Sequence, residues 1–98
     1  MSDVNSRTSN NESIALVVFG VTGDLTRRKL IPAIYQLYKD DQLPQKVKII
    51  GFARRPWTDE IMREYLQQGL SEFSRSQPVD EKIVENLLKS VKYVQSTF

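Results

Sequence analysis

Residues 14–29 read IALVVFGVTGDLTRRK, and this stretch decides the fold that the sequence predicts. Six apolar residues without a charge, Ile14 to Phe19, end abruptly at Gly20 and Gly23, and a basic segment with helical character follows. A continuous apolar run of this kind predicts a strand that is buried on both faces of a parallel sheet. The order of strand, glycine turn and helix is typical of a dinucleotide-binding unit.

The glycine turn is the first candidate binding site. Gly20 lets the chain turn tightly, and Gly23 lets the backbone approach a phosphate closely. In this hypothesis a pyrophosphate binds to the start of the helix and to the backbone amides of Gly20, Val21, Thr22, Gly23, Asp24 and Leu25. The alternative is a tight turn that binds no ligand. Thr22 would then cap the helix rather than donate its hydroxyl to a phosphate, and in either case Asp24 is expected to accept loop amides.

The rest of the chain predicts the element order βαβααβ. The first helix runs from about Asp24 to Lys39, where Pro32 either kinks it or lies in the first turn of a helix that starts later. The other elements are a strand from Val47 to Ala53, two helices capped by Thr58 and Asp80, and a strand from Val91 to Val94. An apolar stripe on the second helix is predicted to face the core and comprises Met62, Tyr65, Leu66, Leu70 and Phe73, with Gly69 on the same face.

This order predicts an α/β fold, the first mononucleotide-binding half of a Rossmann-type doubly wound parallel sheet. Right-handed crossovers would place the strands in the order 3-2-1. The first strand would be an unpaired edge unless more chain or a partner covers it.

The end of the second predicted strand indicates which dinucleotide would bind. A site for NAD usually has an Asp or Glu there for the ribose 2′-hydroxyl, whereas an arginine accommodates the 2′-phosphate of NADP. Here the chain reads GFARR over residues 51–55, without an acid. Arg54 in the first place, and Arg55 in the second, therefore favour NADP. The alternative is a solvated basic turn before Pro56.

Three consecutive cations follow the glycine turn. Arg27, Arg28 and Lys29 would lie in the first turns of the helix, where positive charge opposes the helix dipole unless an anion binds nearby. Arg27 and Arg28 are expected to be surface charges, and Lys29 is the candidate for a functional contact.

Composition limits the chemistry of the chain. Its 98 residues suffice for one small domain, with a polar, flexible tail predicted over residues 1–13 and the domain over 14–98. There is no cysteine and no histidine, so a thiol nucleophile, a thiolate metal site and the commonest general base are all missing, and no metal site is predicted. The net charge of +2 is too small to favour nucleic acid. Neither a targeting signal nor a membrane span is recognisable, so the expected location is cytoplasmic.

Residues 19–32, FGVTGDLTRRKLIP, together with GFAR at 51–54, resemble the N-terminal cofactor motif of the glucose-6-phosphate dehydrogenases. The resemblance covers the chain after the tail; Thr26 stands where many members have alanine. It implies a cytosolic, oligomeric enzyme that oxidises glucose 6-phosphate to 6-phosphogluconolactone and reduces NADP, opening the oxidative pentose phosphate pathway. It also implies that Gly20 to Leu25 and Arg54 bind the cofactor and that Lys29 lies at the edge of the active site.

The resemblance further implies that the substrate-binding motif, the catalytic histidine and a large β+α domain follow Phe98. No catalytic residue is therefore expected in this segment, and the segment alone is expected to be inactive. A rival hypothesis from another class is a non-enzymatic nucleotide-binding or protein-interaction module that uses the exposed edge of the sheet to pair with a partner.

Overall fold

The computed structural model describes residues 13–96, which form three parallel strands with helices packed against them. In chain order the elements are β1 (Ser13–Phe19), a π-helical turn (Thr26–Leu30), α1 (Ile31–Lys39), β2 (Lys46–Ala53), α2 (Asp59–Phe73), α3 (Glu81–Leu88) and β3 (Lys92–Gln95). The spatial order is β1-β2-β3. This confirms the predicted α/β class, element order and strand order. Apart from Ser13, the predicted tail lies outside the described residues.

The prediction that the first strand is buried on both faces is wrong for this part of the chain. On β1, Val17 is 50% exposed and Phe19 is 67% exposed, and only Leu16 and Val18 pack partly against the core. The helices cover one face of the sheet, as the alternation of β2 between exposed lysines and buried Val47 and Ile49 indicates. Within residues 13–96, β1 pairs with β2 alone, so its outer edge is open. The exposed Val17 and Phe19 show that its outward face is uncovered as well.

The first helix is helical from residue 24 to residue 39, as the sequence predicted, but it is not α-helical throughout. Its five residues Thr26–Leu30 form the wider π-helical turn, and Pro32 lies in the first turn of α1 directly after it. Proline removes one backbone donor and crowds the carbonyl one turn earlier. The wider turn accommodates both effects, so the chain stays helical across Pro32.

Both predicted helix caps are confirmed. The hydroxyl of Thr58 accepts a hydrogen bond from the backbone N–H of Ile61 at 3.1 Å, and the carboxylate of Asp80 accepts from the N–H groups of Lys82 and Ile83. One member of the predicted core stripe differs. Phe73 is 37% exposed, because it ends α2 and its ring lies beneath two arginines rather than in the core.

None of the helices within residues 13–96 combines the length and the apolar character that crossing a membrane requires.

Candidate functional site

Gly20 makes the turn at the carboxyl end of β1. Its φ of +71° lies in the left-handed region that only glycine adopts without strain. The N–H groups of Gly20 and Val21 both donate to the carbonyl of Phe52, at 2.7 and 3.2 Å. These bonds tie the turn to β2, so the ends of the two strands open into the same space.

Gly23 closes the turn against its own start. Its N–H donates to the carbonyl of Gly20 at 2.9 Å, and a Cβ at this position would lie 3.1 Å from that oxygen. The hydroxyl of Thr26 donates to the same carbonyl at 3.4 Å, and the hydroxyl of Tyr65 on α2 donates to the carbonyl of Gly23 at 3.0 Å. Two side chains outside the turn therefore hold it in shape.

The buried side chain of Val21 anchors the turn from below. A Cβ on Gly51 of β2 would come within 2.7 Å of this valine, so only glycine leaves room for it there. The residues that follow, from Gly23 to Leu25, are exposed at the start of the helix, and among the described residues no side chain caps the π-helical turn at Leu25. The leading N–H groups of a helix lack intrahelical acceptors, which makes this start suited to an anion.

Arg54 lies across from the turn. A cleft of about 440 Å³ at the carboxyl ends of β1 and β2 is lined by Gly20, Thr22, Ala53, Arg54, Arg55 and others. On its wall the rings of Phe19 and Phe52 stack with centroids 5.3 Å apart. The structure thus brings the predicted phosphate turn and the predicted 2′-phosphate arginine into one cleft. This set fits a dinucleotide, because it joins close backbone approach at glycine to cationic side chains.

The three cations of the helix differ in their partners. Arg27 pairs with Glu72 of α2 at 2.6 Å, and Arg28 pairs with Asp24 at 3.3 Å. Asp24 also lies 3.7 Å from Arg27, so its carboxylate, expected to accept loop amides, instead pairs with arginines. These acids compensate two of the three charges.

Lys29 makes no ion pair with any residue between 13 and 96. It lines a second, largely apolar cleft, of about 520 Å³, beside Gly20, Gly23 and Leu30. The two clefts therefore meet at Gly20, with Arg54 in one and Lys29 in the other.

Sequence reasoning missed the tyrosines that support the site. Tyr65 was assigned to the core stripe, yet its hydroxyl holds the glycine turn. Tyr93 of β3 donates its hydroxyl to the carbonyl of Arg55. Burial raises the pKa of Tyr93 above its usual 10.0, while the nearby charge of Arg55 acts in the opposite direction. The polar end of a tyrosine in an apolar stripe needs a partner, so the sequence signals that the Tyr65 hydroxyl makes a hydrogen bond but not which group accepts it.

A parallel α/β sheet with a glycine turn after its first strand and an arginine after its second is characteristic of nucleotide-binding proteins of the Rossmann class. The profile of the family described as "Glucose-6-phosphate dehydrogenase, NAD binding domain" matches residues 17–98. The chain therefore belongs to the glucose-6-phosphate dehydrogenase family, a family of oxidoreductases, within its NAD-binding domain.

Individual relatives agree with this assignment. The chain is 43% identical to glucose-6-phosphate 1-dehydrogenase of Chlamydia muridarum over 83 residues. This aligned stretch covers 85% of this chain and 16% of the relative. A solved glucose-6-phosphate dehydrogenase in complex with its substrate glucose 6-phosphate matches with a TM-score of 0.76 and 31% identity, over 88% of this chain and 17% of that one. The enzyme from Mycobacterium avium matches with a TM-score of 0.75 and 26% identity, over 87% and 18%. The chain spans about a sixth of the length of these relatives.

Proposed function

We propose that this chain binds the adenosine half of NADP, and that the protein to which it belongs oxidises glucose 6-phosphate to 6-phosphogluconolactone. The observation that carries the proposal is the single cleft that joins Gly20 and Thr22 of the turn to Arg54 at the end of β2. The bound nicotinamide would accept a hydride from the sugar. In keeping with this role the protein would be cytoplasmic and a homo-oligomer, and residues 14–98 would form the first part of its cofactor domain.

The residues of the chain divide the work of binding. Within the stretch from Gly20 to Leu25, the amides of Gly20, Val21 and Gly23 donate to carbonyls of the protein itself. The pyrophosphate would therefore be held by hydrogen bonds from the other amides of this stretch and by the positive end of the helix dipole. Gly23 would allow the close approach that these bonds require. The part of Asp24 would be structural, since its carboxylate compensates Arg27 and Arg28 and does not face an anion.

Arg54 would set the choice of cofactor. A guanidinium binds a phosphate by two parallel, charge-assisted hydrogen bonds, which the 2′-hydroxyl of NAD cannot match. Lys29, in the neighbouring cleft and without an acidic partner among the described residues, would lie where cofactor and substrate meet. It would orient an anionic substrate by charge, whereas the proton-accepting base would come from elsewhere in the protein.

The test is the Arg54→Ala variant of the full protein. Hydrogen bonds to charged groups contribute about 1.5 to 3 kcal/mol, so the Kd of NADP should rise roughly 10- to 100-fold while that of NAD changes by less than about twofold. Fluorescence titration measures both constants, and formation of NADPH in the presence of glucose 6-phosphate measures the activity.

The matched control is Lys46→Ala. Lys46 is exposed at the amino end of β2, so this variant removes an equal charge from the end of the strand that lies opposite Arg54. It should leave both dissociation constants unchanged. Equal losses of NADP and NAD binding in Arg54→Ala would overturn the assignment of Arg54.

One observation favours a second function, a non-enzymatic module that pairs with a partner through its sheet edge. β1 leaves its outer edge open and exposes Val17 and Phe19, which is the arrangement that strand addition requires. The two functions differ in nucleotide binding. A protein that binds neither NADP nor NAD in the titration above would favour the module over the dehydrogenase.

A further inference from the structure

β3 reaches past the end of β2, and its side chains donate hydrogen bonds to the carbonyls of the arginine turn, which consists of Arg54 and Arg55. In the register of the sheet, Gln95 lies opposite Ala53, where β2 ends. Three successive carbonyls, starting with that of Ala53, have donors from β3 and its end. The N–H of Ser96 donates to Ala53 at 2.7 Å, the amide of Gln95 to Arg54 at 3.2 Å, and the hydroxyl of Tyr93 to Arg55.

Aromatic packing fixes the ring that makes the last of these bonds. Trp57 follows the turn and lies 5.0 Å, edge-on, from Tyr65 and 6.2 Å from Tyr93, measured between ring centroids. The guanidinium of Arg55 lies over the Trp57 ring at 5.9 Å. The backbone N–H of Tyr93 donates to the carboxylate of Asp59 at 2.7 Å. Side chain and backbone of Tyr93 are thus both held.

These contacts matter to the cleft because the ladder of the sheet no longer fixes the chain beyond the end of β2. The N–H of Trp57 donates to the carbonyl of Arg55 at 2.8 Å, and the contacts from β3 add to this local bond. A guanidinium meets a phosphate with two bonds only in a narrow range of orientations, and the backbone of Arg54 determines where its side chain starts. We propose that Tyr93 and Gln95 are positioning residues for cofactor choice, which hold the Arg54–Arg55 backbone so that the arginine meets the 2′-phosphate of NADP. This inference rests on the proposed function.

The inference predicts a selective effect. NAD has no 2′-phosphate, so its affinity does not depend on the position of Arg54. Binding of NADP would have to order a loose turn, and this would lower its affinity. A merely structural role for Tyr93 and Gln95 would weaken both dinucleotides equally.

The experiment compares the full protein with its Tyr93→Phe, Gln95→Ala double variant. Phenylalanine keeps the ring against Trp57 and removes only the hydroxyl. We expect the Kd of NADP to rise about tenfold, which corresponds to the loss of about one hydrogen bond to the 2′-phosphate. The Kd of NAD should change by less than about twofold. Val94→Ala is the matched control, since Val94 lies between the two on β3 with an exposed side chain, and it should change neither constant.

The same double variant in the Arg54→Ala background tests the mechanism. If Tyr93 and Gln95 act through Arg54, their loss should have no further effect on NADP once the arginine is gone. Losses that simply add, or equal losses for NADP and NAD, would overturn the inference. Such a result would leave the proposed function intact as long as Arg54→Ala alone discriminates between the cofactors; if it does not, the proposed function fails at this site as well.

Discussion

The phenol of Tyr93 ties the arginine turn to the pH of the solution. Only the protonated hydroxyl can donate to the carbonyl of Arg55. Burial raises the pKa of the Tyr93 hydroxyl above the usual 10.0, although the charge of Arg55 lowers it in part. The carboxylate of Asp59 lies nearby and accepts the backbone N–H of Tyr93. A raised pKa means that folding favours the protonated form. The contribution of the Tyr93 hydroxyl to the stability of the fold is therefore complete below pH 10.0, and it is lost as the pH rises through the higher pKa of the folded state.

We accordingly expect Tyr93→Phe to flatten the alkaline limb of the stability curve. The wild type should lose free energy of unfolding faster than the variant as the pH rises beyond 10.0, and urea unfolding at a series of pH values measures this difference. Tyr38, whose pKa burial also raises, is present in both proteins and cancels in the comparison. Parallel curves for the two proteins would contradict the expectation.

At the scale of the element, α3 depends on its cap. It has only eight residues, and Asp80 satisfies two of its leading N–H groups, at 3.0 and 3.3 Å. A helix this short has little stability of its own, so its end contributes a large share. Asp80→Ala should lower the free energy of unfolding by about 1 kcal/mol, as measured by urea unfolding at neutral pH.

Asp80→Asn separates the cap from the charge. Asparagine is as good an N-cap as aspartate, and it keeps the side-chain oxygen while removing the negative charge at the helix start. This variant should retain most of the stability that alanine loses. A loss as large as that of alanine would mean that the charge, rather than the hydrogen bonds, stabilises α3.

The sequence allowed these caps to be predicted because a cap acts within three residues of itself. It did not allow the π-helical turn to be predicted, because that turn depends on a neighbouring helix. Gly69 of α2 brings the backbone so close that a Cβ there would lie 2.6 Å from the carbonyl of Arg27. Pro32 announced a disturbance in the first helix, but the form of that disturbance is settled by packing between elements distant in sequence.

For the whole molecule the same distinction holds between local and distant causes. The glycine turn and Arg54 were predicted as site residues from short motifs, and the fold places them in one cleft. The support given by Tyr65, Tyr93 and Gln95 crosses about 40 residues of chain, and no local pattern encodes it. The exposure of β1 was misjudged for a related reason. Its apolar residues indicate burial, but burial requires a covering layer that residues 13–96 do not contain.

That open layer leads to a prediction about the sheet. β2 is paired on both sides, whereas β1 is paired on one, so half of the β1 amides point away from any strand within residues 13–96. In the 98-residue chain, native-state hydrogen exchange should be at least about tenfold faster at the outward amides of β1 than at the centre of β2. In the full-length dehydrogenase proposed above, further sheet would cover this edge, and the same amides should become as protected as those of β2. Equal protection of both strands in the 98-residue chain would contradict the open edge. The protection of the β1 amides would then be measured at several protein concentrations. Protection that falls on dilution would mean that a second copy of the chain covers β1, whereas cover from within the chain does not depend on concentration.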